Sequence, residues 1–157
     1  MQALDLIEIL PELFLLLVIC FILLVTPFMK ESSVKDEDVF FTPKAANFAY
    51  QLALLSLFIL AIWFGCRTSE LSQTIMNELY KVDPISNVLK SVSCVAVMVT
   101  FIYSKQYLID RDLFRTDFIS LALLALLGQF VMISGANLLT LYLGIELLAL
   151  STYTLTA

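Results

Sequence analysis

The sequence contains no histidine, so the most common catalytic base and metal ligand is missing from the chain. Without histidine, neither a Ser–His nor a Cys–His nucleophile can be assembled from these residues. The three cysteines stand in or beside separate apolar stretches, with no C-x-x-C pair: Cys20, Cys66 and Cys94. We therefore expect no zinc or iron–sulfur site built from this chain alone, and we expect the cysteines to pack as small apolar side chains.

Glycine and charge are also scarce. The four glycines are scattered singly, which excludes a glycine-rich phosphate loop, and charged residues make up only 15% of the chain. The nine lysines and arginines lie mostly between hydrophobic runs and form no single basic patch, so we expect no nucleic-acid binding. Because Glu146 has no acidic neighbour in its own apolar run, a pair of hydrolytic carboxylates is not expected either. Covalent catalysis is therefore not predicted for this chain.

Hydrophobic residues are abundant: they form 61% of the 157 residues, and the mean hydropathy is +0.94. A water-soluble domain of this size could not cover so much apolar surface, so the sequence predicts a single all-α transmembrane bundle over residues 1–157. Five hydrophobic runs are long enough to cross a bilayer, namely residues 11–29, 45–66, 84–104, 118–134 and 136–157.

Two connections between these runs have their own patterns. Residues 134–137, Ser-Gly-Ala-Asn, predict a tight hairpin between antiparallel fourth and fifth helices. In the segment 67–82, Leu71, Ile75 and Leu79 recur every four residues, as on a short surface helix, but the segment is short and ends at Asp-Pro. A surface helix and an extended hairpin both remain open for this segment.

The distribution of basic residues predicts the orientation in the membrane. The connections after the first and third spans carry six lysines and arginines, against two on the opposite side; the six are Lys30, Lys35, Lys44, Lys105, Arg111 and Arg115, and the two are Arg67 and Lys81. Basic loops stay on the cytoplasmic or matrix side. We therefore expect the N-terminus on the outer, intermembrane or periplasmic, side.

Glu146 lies near the middle of the fifth apolar run. A carboxylate at that depth costs about 2.5–3.5 kcal/mol on insertion scales, so such a group marks an ion path by default. Helical spacing brings Tyr142 and Tyr153 onto the same face as Glu146. We expect Glu146 to act in a proton relay, and the alternative is a structural hydrogen bond between helices.

Lys90 is the second ionisable residue inside a predicted span, about two turns into the third. Asp83 stands two turns earlier, about 10 Å along the helix axis, which is too far for a direct pair. Lys90 could serve as a functional charge, or it could play a structural part or extend outward to the membrane surface. Glu8 and Glu12 share a face at the outer end of the first helix, and we expect both to be solvated, with no cation in reach.

The fifth run, LLTLYLGIELLALSTYT at residues 138–154, resembles the fifth-helix signature of the antiporter-like subunits of respiratory complex I. The preceding SLALLALLGQFVMISGAN is similar to the fourth helix and hairpin of that family. VDPISNVLK and LPELFLLL are most similar to the subunit 2 branch. The chain departs from the family pattern at residues 116–118, Thr-Asp-Phe, and at Asn137.

This resemblance implies a proton-translocating piece of the membrane arm of NADH:ubiquinone oxidoreductase, outside its catalytic centre. NADH, FMN, iron–sulfur clusters and ubiquinone would be bound by other subunits, and no cofactor by this chain. In the family, the glutamate that matches Glu146 partners a lysine on a later helix, which would lie beyond residue 157. The expected partners are other membrane-arm subunits, a second chain that supplies the remaining helices, and lipids.

Several alternatives stay open at this point. The chain is expected to be the N-terminal part of a split subunit, or else of a protein that continues past residue 157. The mitochondrial inner membrane is the expected location, with the bacterial plasma membrane as the alternative. A structural helix-packing subunit without transport, or a subunit of a related cation/proton antiporter, hydrogenase or plastid complex, would share the same helix motif.

Overall fold

The computed structural model describes residues 3–31, 43–66, 73–75, 80–111 and 116–156. These residues form five helices and one pair of short strands. In chain order they are α1 (Ala3–Glu31), α2 (Pro43–Cys66), β1 (Gln73–Ile75), β2 (Tyr80–Val82), α3 (Pro84–Asp110), α4 (Thr116–Ser134) and α5 (Leu138–Thr156). The prediction of an all-α membrane protein with five helices is confirmed.

Four of the described helices are long and apolar enough to cross a membrane. Their candidate spans are Ala46–Cys66, Pro84–Asp110, Thr116–Ser134 and Leu138–Thr156, and α1 contributes a shorter apolar stretch, Ile9–Val25. Four helices are longer than predicted, α2 and α4 by two residues each and α1 and α3 by more. Helix α1 begins at Ala3, before the expected start at residue 11. Helix α3 continues to Asp110, past the expected end at residue 104, because its last turns contain neither glycine nor proline. The orientation in the membrane stays a prediction.

Proline and a serine define the start of α3. Pro84 occupies the first turn, where its missing N–H costs no hydrogen bond, and it restricts Asp83 to an extended backbone with φ −119° and ψ 152°. The Ser86 hydroxyl donates to the Asp83 carbonyl oxygen at 2.7 Å and accepts from the Asp83 backbone N–H at 3.0 Å. The chain therefore cannot continue as a helix from residue 82 into α3.

The described part of the segment 67–82 is an antiparallel hairpin, which is the extended one of the two alternatives. Gln73 pairs with Val82, and Ile75 pairs with Tyr80; residues 67–72 and 76–79 lie outside the described part. Tyr80 also forms a β-bridge with Gly135, in the turn between α4 and α5. This end of the bundle, where α1, α3 and α5 begin and α2 and α4 end, is called the hairpin end below.

Buried apolar side chains from the first four helices form one core. Its fully buried members include Leu15 on α1, Ala53 and Leu57 on α2, Cys94 on α3 and Leu123 on α4. Cys94 is buried, as expected for a small apolar packer, whereas Cys20 and Cys66 are exposed at the surface of this chain. In lipid such a core is held by close packing of side chains and backbones rather than by exclusion of water.

Helices α4 and α5 pack backbone against backbone at two glycines. A Cβ atom on Gly128 would lie 3.1 Å from the Gly144 carbonyl oxygen, and one on Gly144 would lie 2.8 Å from the Met132 amide nitrogen. Only glycine permits this approach, as in other membrane helix pairs. The tight hairpin at residues 134–137 is confirmed, since the Gly135 amide donates to the Met132 carbonyl and α5 starts at Leu138.

Candidate functional site

The side chain of Lys90 is buried at the hairpin end of the bundle, with 2% of it exposed. Its Nζ donates to Glu12 Oε1 at 2.7 Å and to the Tyr80 hydroxyl oxygen at 2.8 Å. The Tyr80 hydroxyl in turn donates to the same Glu12 Oε1 at 2.6 Å. The three groups form a closed triangle of hydrogen bonds, which we call the Lys90 cluster.

Aromatic rings surround the ammonium group of this cluster. Lys90 Nζ lies 5.0 Å from the ring centroid of Tyr80, 5.4 Å from that of Phe64 and 5.9 Å from that of Phe130. Phe64 and Phe130 also contact each other edge to face, with their centroids 5.4 Å apart. The negative faces of such rings attract a cation when water is excluded. The cation is therefore held by one carboxylate, one phenol and an apolar aromatic wall.

Five elements of the fold supply the cluster and its wall. Glu12 comes from the first turns of α1, Tyr80 from β2, Lys90 from α3, Phe64 from the end of α2 and Phe130 from α4. Tyr80 is fixed from two sides, by its pairing with Ile75 and by its bridge to Gly135. The short hairpin thus places a phenol over the end of the bundle, which none of the helices provides there.

The expectation that Glu12 is solvated and has no cation in reach is wrong. Its carboxylate accepts from Lys90, and only 11% of its side chain is exposed. The long side chain of Lys90 reaches Glu12 from α3, and this encounter is decided by helix packing, which the sequence of α1 does not reveal. The side chain of Glu8 lies outside the described residues.

The outward-extending alternative for Lys90 is also wrong. The Lys90 side chain points to the bundle interior. There its ammonium group forms an ion pair with Glu12 and a hydrogen bond with Tyr80. Whether Lys90 has a functional charge role stays a prediction at this point.

Asp83, expected as a supporting residue, has a different partner. Its carboxylate Oδ2 lies 2.8 Å from Lys81 Nζ in a partly exposed ion pair. The sequence argument that Asp83 is too far along α3 to pair with Lys90 agrees with this geometry. Asp83 therefore belongs to the surface of the hairpin end and not to the Lys90 cluster.

Glu146, Tyr142 and Tyr153 lie on the exposed side of α5, as their helical spacing predicts for a common face. The buried positions Gly144 and Ser151 lie toward α4. Among the residues that the structure describes, Glu146 forms no ion pair. The structure does not bring Glu146 together with Lys90, and the proton-relay role of Glu146 stays a prediction.

Sequence reasoning missed Glu12 and Tyr80 as partners of Lys90. A signal for Glu12 was present, because α1 and α3 are separated by one span and so begin at the same end of the bundle. Glu12 and Lys90 each lie within about two turns of where their apolar run begins. No comparable signal exists for Tyr80, whose placement depends on the hairpin. Within the described ranges, no group of three His, Cys, Asp or Glu residues is placed to hold a metal ion.

The chain is similar in sequence to curated bacterial proteins, although no protein-family model matches it. It is 47% identical over 111 residues to NADH-quinone oxidoreductase subunit N of Cupriavidus taiwanensis, a match that covers 69% of this chain and 22% of the relative. It is 37% identical over 148 residues to the protein of the same name from Nitrosomonas europaea, covering 94% of this chain and 28% of the relative. With the Herminiimonas arsenicoxydans protein of this name it shares 34% identity over 165 residues, covering 100% of the chain and 30% of the relative.

Two consequences follow from these matches. The chain spans less than a third of the length of these relatives. All three relatives are bacterial, so the bacterial plasma membrane, the alternative location, fits them, and the expected mitochondrial inner membrane gains no support.

Proposed function

This chain is homologous to NADH-quinone oxidoreductase subunit N over the matched residues, and on that premise we propose that it works in the proton-translocating membrane arm of such a complex. The observation that carries the proposal is identity of 37% extending over 94% of the chain, in a protein whose helices α2 to α5 are apolar enough to span a membrane. The chain's own part is transport of protons within the membrane and not the oxidation of NADH.

Within this function we assign the relay of protons to Glu146. Its carboxylate sits in the ninth position of the 19-residue helix α5, between the hydroxyl-bearing side chains Tyr142 and Tyr153. A carboxylate facing lipid at that depth would cost about 2.5–3.5 kcal/mol, so we propose that further helices of the complex cover this face. A base on those helices would exchange the proton with Glu146, and the two tyrosine hydroxyls would orient the water that connects them.

The substitution Glu146→Gln tests this assignment. The amide keeps the size and polarity of the side chain but cannot carry a proton, so the complex should assemble and pump fewer protons per NADH oxidised. Pumping is measured with the purified complex in vesicles. Asp117→Asn, the same chemical change at an exposed position in the first turn of α4, is the matched control and should leave pumping unchanged. Unchanged stoichiometry in Glu146→Gln would remove the relay role.

A structural helix-packing subunit without transport is the second candidate. The backbone contact at Gly128 and Gly144 favours it, because this contact would serve assembly whether or not Glu146 carries protons. The same Glu146→Gln variant separates the two functions, since a packing role predicts loss of assembly without a change in protons per NADH in the complex that remains.

The related complexes considered from the sequence form a third class. The names of the three relatives favour an NADH-quinone oxidoreductase over a cation/proton antiporter, a hydrogenase or a plastid complex. Identification of the proteins that co-purify with the chain tests this choice: flavin and iron–sulfur subunits of an NADH dehydrogenase are expected, and a nickel hydrogenase would contradict it.

A further inference from the structure

The Lys90 cluster is not used by the relay assigned to Glu146, because Glu146 lies on the exposed side of α5 and makes no contact with it. It is nevertheless the most concentrated arrangement of ionisable side chains inside the described bundle. An ion pair buried in a membrane helix bundle is costly, and such groups tend to be functional.

Burial within the cluster is unequal. Lys90 is 2% exposed and is enclosed by the rings of Phe64 and Phe130, whereas Glu12 retains 11% exposure near the start of α1. Glu12 is therefore the more accessible group for exchange with the aqueous phase, and Lys90 is joined to it directly and through Tyr80. The cluster has an outer group that meets water and an inner group that does not.

The hydrogen bonds provide two routes between the inner and the outer group. In the direct route an N–H bond of Lys90 breaks and an O–H bond forms on Glu12 Oε1, 2.7 Å away. In the second route Tyr80 accepts the proton from Lys90 Nζ, 2.8 Å away, while its own hydroxyl proton moves to Glu12 Oε1, an oxygen 2.6 Å from the hydroxyl oxygen. Both routes end in a neutral amine and a neutral carboxylic acid, so no proton is gained or lost in the exchange.

The apolar surroundings of the cluster bear on the balance between the ion pair and the neutral pair. Two separated charges in an apolar site lose their hydration, which reduces the advantage of the ion pair over the neutral pair. In the described part of the chain, the other titratable groups near the cluster are the Lys81–Asp83 pair, which is satisfied at the surface, and the buried thiol of Cys94 one turn along α3. Helices α2 and α4 contribute the rings of Phe64 and Phe130 to the wall, and these rings carry no charge. The net charge of the cluster therefore changes when Glu12, Tyr80 or Lys90 gains or loses a proton.

We propose that the Lys90 cluster is a second proton-exchange site of this protein, in which Glu12 exchanges a proton with the aqueous phase at the hairpin end and Lys90 holds it inside the bundle. Tyr80 connects the two groups. In net uptake, the acid proton of the neutral pair moves to Lys90 and Glu12 takes a new proton from water, which yields the ammonium beside a neutral carboxylic acid; release reverses these steps. The inference rests on the proposed membrane-arm function, but the proton is carried by Glu12, Tyr80 and Lys90 and not by Glu146.

The variant Lys90→Arg separates proton exchange from a purely structural ion pair. A guanidinium keeps the positive charge and pairs well with a carboxylate, but it does not release its proton in a protein. We expect Lys90→Arg to assemble and to lose proton pumping, measured per NADH with the complex in vesicles. A structural pair would tolerate arginine, so full pumping in an assembled Lys90→Arg complex would overturn the proposal.

A second variant keeps the test decisive if arginine does not fit the aromatic wall. The double variant Glu12→Gln/Lys90→Met removes both charges at nearly constant volume, and such replacements of buried pairs are often tolerated. Its assembled complex should show the same loss of pumping, whereas wild-type pumping would overturn the proposal. Lys81→Met/Asp83→Asn removes a neighbouring surface ion pair and is the matched control, expected to pump normally.

Infrared difference spectroscopy supplies a readout that does not depend on pumping. Acidification of the complex should produce a protonated-carboxyl band that is lost in Glu12→Gln and shifted in Tyr80→Phe, which lacks the hydroxyl bonded to Oε1. A band unaffected by both substitutions would overturn the proposal. This readout also keeps the two proposals separate. If the wild-type complex pumps no protons, the proposed membrane-arm function fails, but the carboxyl band still shows whether Glu12 exchanges a proton. If Glu146→Gln pumps normally and Lys90→Arg does not, only the role of Glu146 fails.

Discussion

The two ionisable residues that stand out in the apolar runs, Lys90 and Glu146, occupy opposite kinds of environment. At the hairpin end, Lys90 has a carboxylate, a phenol and an aromatic wall, all supplied by this chain. On α5, Glu146 faces away from α4 and has no ion-pair partner among the described residues. The first site is complete within these residues, whereas the relay proposed for Glu146 requires further helices to cover its face.

Loss of Lys90 alone should have the largest effect on stability. Lys90→Met leaves the carboxylate of Glu12 nearly buried without its counter-ion, and breaking a buried pair from one side costs about 3–5 kcal/mol. The measurement is the free energy of unfolding of the complete protein in detergent micelles. Lys81→Met, at the half-exposed end of the Lys81–Asp83 pair, should change it by less than about 1 kcal/mol. Equal effects of the two substitutions would show that the Lys90 cluster is as solvated as the surface pair.

Removal of the Tyr80 hydroxyl should lower the stability by less, because the ion pair between Lys90 and Glu12 remains. Tyr80→Phe deletes the hydroxyl's two hydrogen bonds, to Glu12 and to Lys90, while the ion pair and the ring beside the ammonium stay. We expect a loss of about 1.5–3 kcal/mol, the range for hydrogen bonds to charged groups. The same unfolding measurement applies. Tyr103→Phe, at a fully exposed position of α3, is the control and should be neutral. A neutral Tyr80→Phe would mean that the hairpin does not close the cluster.

The backbone contact between α4 and α5 determines which face of α5 is left exposed. A test of this contact is therefore also a test of the environment of Glu146. Gly144→Ala places a methyl group 2.8 Å from the Met132 amide nitrogen, and overpacking of this kind costs about 1–3 kcal/mol. Gly65→Ala is the control, since its Cβ would meet only the Ser91 hydroxyl at 3.7 Å. If both variants unfold alike, the backbone contact between the two helices is not formed, and the assignment of Glu146 to the exposed face fails with it.

Ser134 should show the smallest effect, and in the opposite direction. Its hydroxyl is fully buried at the hairpin end without a hydrogen-bond partner in the described part of the chain. Ser134→Ala removes an unsatisfied polar group and should leave stability unchanged or raise it by up to about 1 kcal/mol. In the control Ser56→Ala, an equally buried hydroxyl that donates to the Ala53 carbonyl at 2.8 Å is lost, and stability should fall. A clear loss of stability in Ser134→Ala would indicate that a polar group from elsewhere in the complex reaches this hydroxyl.

Much of the fold could be predicted, because a membrane helix is recognisable from the length and hydropathy of its apolar run. The spans and the tight turn at residues 134–137 follow from local patterns. The segment 67–82 could not be resolved, since its four-residue periodicity competes with the constraint that Pro84 places on Asp83. In the structure this segment forms the antiparallel pair of β1 and β2, which places Tyr80 beside Lys90 and Glu12.

The site was harder to predict than the fold. Lys90 was identified from its charge inside an apolar run, but Glu12 was assigned to solvent because the amphipathicity of a membrane helix does not say which neighbour its polar residue meets. The three residues of the cluster lie 10 and 68 positions apart along the chain, and their meeting depends on how α1, α3 and β2 are arranged. The Glu146 face, by contrast, was correctly predicted as a common face, since only helical spacing is involved.

Hydropathy and helix period are local properties, so the amino-acid sequence alone places this protein in a membrane, locates its helices and identifies the residues that carry charge into the apolar layer. The packing of the helices and of β2 brings Lys90 to Glu12 and Tyr80 and leaves Glu146 on an open face. The physical reason is that, in lipid, the apolar surfaces of the helices are nearly equivalent, so the contacts that distinguish one arrangement from another are a few close backbone approaches and buried polar pairs between distant residues.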